Sequence, residues 1–92
     1  MVKAINPKTV EIELTDQAGV KRKFTGLIIT RKNYADIITQ EEEISKIKDM
    51  SRINEFMALY FGGDPADYDD YDIRALTLAV QLYTSELKNP TM

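Results

Sequence analysis

The stretch INEFMALYFGGDPADYDDYDIRALTLAVQLY, Ile53–Tyr83, decides the fold. Two apolar segments flank a connector, FGGDPADYDDYD, that packs two glycines, a proline and five aspartates into one short run. In the first segment Ile53, Phe56, Met57 and Tyr60 recur at i, i+3, i+4 and i+7, the spacing of one helix face. Gly62 then supplies the residue type that most often follows a helix C-terminus. Beyond the connector, Ile73, Leu76, Val80, Tyr83 and Leu87 share a second helical face, which Ala75, Leu78, Ala79 and Leu82 widen. A helix apolar round so much of its circumference is expected to be buried on two sides. Inside the connector, Asp64 precedes Pro65, an N-cap followed by the residue suited to a first helical position. Asp67, Asp69 and Asp70 would crowd the start of the last helix, where the macrodipole favours negative charge. The spacing predicts helices over about 51–61 and about 67–88, with the connector as a capped hinge that sets the angle between them.

Upstream the period changes. TVEIELT alternates strictly, with Val10, Ile12 and Leu14 on one face and Glu11 and Glu13 on the other, as a half-buried strand does. DQAG follows with turn residues, Gly19 among them, and VKRKFTGLII returns rich in β-branched and aromatic side chains. A β-hairpin over about 9–29 is the reading, with Gly26 at a bulge or bend. From Thr30 onward Tyr34, Ile37, Ile38, Ile44 and Ile47 fall near one side of a helix over about 31–48. Thr30 or Asn33 caps its start, Glu42 and Lys46 stand in the favourable i,i+4 order, and Asp49 or Ser51 caps the next helix. The expected architecture is therefore α+β: a single domain over 1–92, with a small N-terminal β-hairpin followed by three α-helices.

A chain of 92 residues buries only about 60–65% of its unfolded surface, so its core is thin and a partner could complete it. Neither cysteine nor histidine occurs. That removes disulfides, thiolate nucleophiles, ordinary zinc sites and the usual general base near neutral pH. No apolar run is long enough to span a bilayer and no signal-peptide h-region is visible, so the expected location is the cytoplasm. Residues 1–40 carry seven basic and four acidic side chains, and residues 41–92 carry five basic and eleven acidic. The second half would repel nucleic acid.

Each candidate site competes with a plainer reading. An EF-hand loop needs acidic residues at positions 1, 3 and 5, glycine at 6 and glutamate at 12. Counted from Asp67, Asp69 fits position 3, but Tyr71, Asp72 and Leu78 occupy the last three. Helix-capping aspartates are the better account, and no metal or other cofactor is expected. KRKFTG interleaves three basic residues with Phe24, a nucleic-acid pattern, yet basic residues also protect an edge strand from pairing. No nucleic-acid partner is expected. Gly62–Gly63 lacks the lysine and hydroxyl residue of a phosphate loop, and the serines sit in no nucleophile context. An enzyme is not expected. What remains is apolar helix surface. Two short helices and a hairpin cannot easily cover both sides of the third helix. A patch formed by Phe56, Met57, Tyr60 and Phe61 with Leu76, Val80 and Tyr83 would suit an apolar or helical segment of another protein.

The whole layout resembles a known family. A hairpin, a charged helix, the Phe61-Gly62-Gly63 turn, the acidic run Asp67–Asp72 and the apolar helix Ile73–Tyr83 are similar to the short tail-assembly chaperones of long-tailed bacteriophages and prophages of Gram-positive bacteria. Pro65 and the surrounding tyrosines and aspartates depart from that pattern, where phenylalanine or threonine is commoner. The resemblance implies binding to the tape-measure protein, which is kept soluble during tail assembly in the host cytoplasm. It also implies a longer, frameshifted form that recruits the tail-tube protein, and absence from the mature virion. Self-association is a further expectation. The competing expectation is a small acidic regulatory or inhibitory protein that docks through its aspartates on a basic partner.

Overall fold

The structure, a computed structural model, describes residues 2–46 and 52–89. Two strands, β1 (Glu11–Thr15) and β2 (Lys21–Thr25), pair antiparallel and are followed by three helices: α1 (Arg31–Ser45), α2 (Ile53–Phe61) and α3 (Ile73–Lys88). A single 3₁₀ turn, Pro65–Tyr68, lies between α2 and α3. This is the α+β architecture that the sequence predicts.

The hairpin register places Ile12 opposite Phe24 and Leu14 opposite Arg22, so these share the inner face. Glu13 faces Lys23 on the outer side, together with Glu11, Lys21 and Thr25. The Asp16 carboxylate closes the turn by accepting from the amides of Ala18 and Val20, both at 2.9 Å, and Gly19 takes φ 84°. Thr30 caps α1, its hydroxyl accepting from the Asn33 amide at 3.3 Å. Lys46 pairs with Glu43 at 2.9 Å rather than with Glu42, between two exposed side chains where such a pair contributes little. The proposed continuation of α1 to residue 48, and the caps Asp49 and Ser51, lie outside the described residues.

Two expectations about the connector need correction. The last helix begins at Ile73, not near residue 67. Asp64 is an N-cap with Pro65 at the first helical position, as expected, but of the separate 3₁₀ turn, where its amide donates to the Asp67 carboxylate at 3.0 Å. Asp72 is the cap of α3, accepting from the Arg74 amide at 2.8 Å. Helix formation fails over 69–72 for two reasons. Aspartate competes with helix by bonding to nearby backbone, and the segment is tied to the hairpin instead, with Tyr71 bridged to Asp16 and the Gln17 amide donating to the Asp70 carbonyl.

The contacts on either side of the connector give the direction of the two helices it joins. Asn54, in the first turn of α2, donates to Asp69 at 2.6 Å just before α3 begins. Tyr60 and Phe61, in the last turn of α2, lie against Tyr83 well along α3. The two helices therefore run the same way, and residues 62–72 form a return strap. Gly62 and Gly63, at φ 88° and 80°, reverse the chain in a conformation that side-chain-bearing residues resist.

Tyrosines build much of the core. Tyr60, Tyr68, Tyr71 and Tyr83 are all buried, with Leu14, Met57, Phe61, Leu76 and Ala79 completing the cluster. Tyr60 and Tyr83 stack with centroids 4.5 Å apart, and Phe24 of β2 meets Tyr68 and Tyr71 at 5.5 and 5.9 Å. Each hydroxyl that reaches an edge of the cluster ties down a different element. Tyr60 donates to Glu41 of α1, Tyr68 to the Gly62 carbonyl at 2.5 Å, and Tyr83 to the Leu27 carbonyl at 2.6 Å. Burying a phenol is favourable only if its polar end finds a partner, and here three partners are found on three segments. The radius of gyration, 14.2 Å, exceeds the roughly 12 Å expected of a compact chain this long. Helix α1 packs loosely, with Ile44 its one buried residue of fifteen, and residues 2–9 are exposed throughout.

Candidate partner-binding surface

The seven residues that the sequence nominates for a partner do not form a surface. Met57 and Tyr60 are 0% and 1% exposed, and Phe61, Leu76 and Tyr83 are buried with them in the same cluster. Phe56 and Val80 are half-buried and pack against it. The expectation of a Met- and aromatic-rich patch is corrected: five of these side chains belong to the core, and the other two pack against it. Tyr68 and Tyr71 of the strap and Phe24 of the hairpin supply the cover that two short helices lacked.

The surplus apolar area lies elsewhere on α3. Successive helical residues turn by about 100°, so Leu78 points nearly opposite to Leu76. It is 65% exposed, and Leu82, one turn on, is 46% exposed. Half-buried Ala75, three residues before Leu78, extends this to an apolar stripe of about two turns along the solvent side of a helix whose other side is core. Sequence periodicity had placed Leu78 and Leu82 in the widened apolar face without distinguishing them from core.

One turn beyond Leu82, Glu86 enters an open groove of about 520 Å³. Residues 6–10 form one wall, 26–29 the other, and Tyr83, Glu86 and Leu87 the floor. Gly26 makes this arrangement possible: a Cβ at that position would come within 2.7 Å of the Tyr83 ring. Sequence reasoning expected a bulge or bend at Gly26 and missed the groove, because close backbone approach to a distant ring leaves no local pattern. A second, shallower depression of about 490 Å³ separates α1 from α2 and is flanked by Glu43, Ile44, Glu55 and Leu59.

The aspartates of the connector do not converge on a point. Asp64 and Asp67 bond within the 3₁₀ turn, Asp69 holds Asn54, Asp70 meets the Gln17 side chain at 3.2 Å, and Asp72 pairs with Arg74 at 2.8 Å. Hydrogen bonds from Arg74, side chain first and then backbone, hold the Asp72 carboxyl down at about 2. Among the described residues no three metal-capable side chains gather. Lys21, Arg22 and Lys23 stand exposed on β2, with the Arg22 guanidinium over the Phe24 ring at 5.4 Å. Burial raises the phenol pKa of Tyr60, Tyr68 and Tyr83 above the ordinary value, and the adjoining carboxylates Glu41 and Asp67 add to the rise. Among the described residues no helix is long and apolar enough to cross a membrane. No family model, curated protein or solved structure matches the chain.

Proposed function

We propose that the chain is a tail-assembly chaperone of the kind used by long-tailed phages and prophages, and that it keeps a tape-measure protein soluble in the host cytoplasm. The observation that carries this reading is the exposed Leu78–Leu82 stripe on α3. Two leucines at i and i+4 on a rigid helix offer a ridge against which an apolar helix of another protein can lie. The acidic second half of the chain supports the same role, because a net negative shell keeps a loaded complex dispersed. On this reading a longer frameshifted form recruits the tail-tube protein, and neither form remains in the finished virion. No catalysis, cofactor, nucleic acid or membrane has a part in it.

Docking of the aspartates on a basic partner has less support, since each is engaged in a cap or an inter-element bond. The test is co-expression with a phage tape-measure protein, followed by centrifugation. Soluble tape measure should rise with the chaperone present. Equal amounts with and without it would sink the reading.

A further inference from the structure

Two sets of apolar side chains stand in solvent around the groove, and neither covers the other within one chain. Between two of its lining residues, the Gly26 amide donates to the Val10 carbonyl at 2.8 Å, continuing the hairpin for one more bond. Ile28 on one wall is 84% exposed. Residues 2–9, which lead into the opposite wall, are exposed throughout and take up no regular secondary structure. Within this arm Val2 and Ile5 are 95% and 69% exposed, and neither lines the groove of its own chain.

We propose that the groove receives the arm Val2–Ile5 of a second copy of this chain, exchanged reciprocally in a two-fold dimer. The arm is preset for reaching outward. Pro7 disfavours the helical conformation at Asn6 and biases it towards extended backbone, and the groove's own lining includes neither Val2 nor Ile5. Four extended residues reach about 13 Å, ample to cross a floor of one helical turn, about 6 Å long. The chemistry is complementary: Val2 and Ile5 are apolar, as are Ile28, Leu87 and the Tyr83 ring that line the groove. Two-fold symmetry satisfies both halves at once, since each copy gives one arm and receives one. The contact buries few side chains a side, below the roughly 1,200 Å² of stable interfaces, so the dimer forms in proportion to concentration. The Leu78–Leu82 stripe and its proposed partner play no part in this pairing.

The absence of cysteine makes the test clean. Ile5→Cys and Ile28→Cys chains, both altered at exposed positions, are prepared separately, mixed and oxidised. Unlike-chain disulfides should greatly exceed both like-chain products. Sedimentation of the unaltered chain should show a monomer–dimer equilibrium that Ile5→Asp shifts to monomer, with circular dichroism unchanged. Disulfides in random proportion would overturn the proposal. So would a chain carrying both thiols that closes on itself at high dilution, because the arm would then fill its own groove. A chain that stays monomeric from micromolar to millimolar concentration, the result if a foreign segment owns the groove, overturns it as well.

Discussion

The Tyr83 hydroxyl donates to the Leu27 carbonyl at 2.6 Å, joining α3 to the chain that leaves the hairpin. The approach is open only because residue 26 has no side chain: a Cβ there would lie 2.7 and 2.9 Å from the Tyr83 ring. That ring cannot retreat, being stacked on Tyr60 and edge-on to Phe61. Gly26→Ala should therefore destabilise the domain by about 1–3 kcal/mol through overpacking. Tyr83→Phe removes the bond but keeps the ring, and should cost about 1 kcal/mol. Urea unfolding followed by circular dichroism measures both. A neutral Gly26→Ala would mean that the hairpin and α3 are not held at this distance.

The buried phenols predict sensitivity to alkali. Burial raises the pKa of Tyr60, Tyr68 and Tyr83 above the ordinary value of 10.0, while in the unfolded chain they ionise near it. Above that pH the unfolded state releases protons that the folded state retains, so stability that is complete below pH 10 is lost as pH rises past it. Thermal melts between pH 8 and roughly 11 should fall steeply over the upper part of that range. Tyr60→Phe should flatten the fall, because one of the responsible protons is gone. A flat profile in the unaltered chain would contradict the burial of these rings.

At the acid end the sign reverses. The Asp72 carboxyl is held at about 2, below its ordinary 3.8, chiefly by hydrogen bonds from the Arg74 side chain and backbone amide. Its contribution is present above pH 3.8 and is lost as pH falls towards 2. The pair is exposed, so the effect is small. Asp72→Asn, which can still cap the helix, should reduce the acid slope while changing neutral stability little. An unchanged slope between the two chains would remove Asp72 from the account.

Much of the fold was legible because its signals are local. The alternation of Val10, Ile12 and Leu14, the Asp16–Gly19 turn, the Thr30 cap and the Gly62 stop each state their geometry within a few residues. Tyr68 and Tyr71 were not legible. They sit in an acidic run with no helical or strand period, and their burial depends on Phe24 arriving from the hairpin. The start of α3 was misplaced for the same reason, since the tie between Tyr71 and Asp16 spans most of the chain. On α3 itself, a helix apolar round more than half its circumference has no inside that its sequence alone can mark. The seven nominated residues share apolar helical spacing, and spacing of that kind reports core at least as often as surface.

That ambiguity supplies the sharpest test of the proposed role. Leu78 and Leu82 face solvent, whereas Leu76, on the opposite side of the same helix, is buried against α2. Leu76→Ala should cost about 2–5 kcal/mol, the range for emptying a packed leucine site. Any loss of tape-measure binding in that variant follows from unfolding and carries no information about the surface. Leu78→Asp and Leu82→Asp place charge where the side chain already meets water, so stability should change by only about 0.5 kcal/mol. Binding should nevertheless fall by more than tenfold if the stripe is the contact, because each carboxylate would have to be desolvated against an apolar helix. Asp67→Asn and Asp70→Asn form the matching pair for the acidic reading, and should leave tape-measure binding intact. Co-sedimentation with the tape-measure protein, run beside thermal melts of all five variants, separates these outcomes. Wild-type binding in both leucine variants would remove α3's solvent face from the mechanism, and loss confined to the aspartate variants would move the contact to the connector.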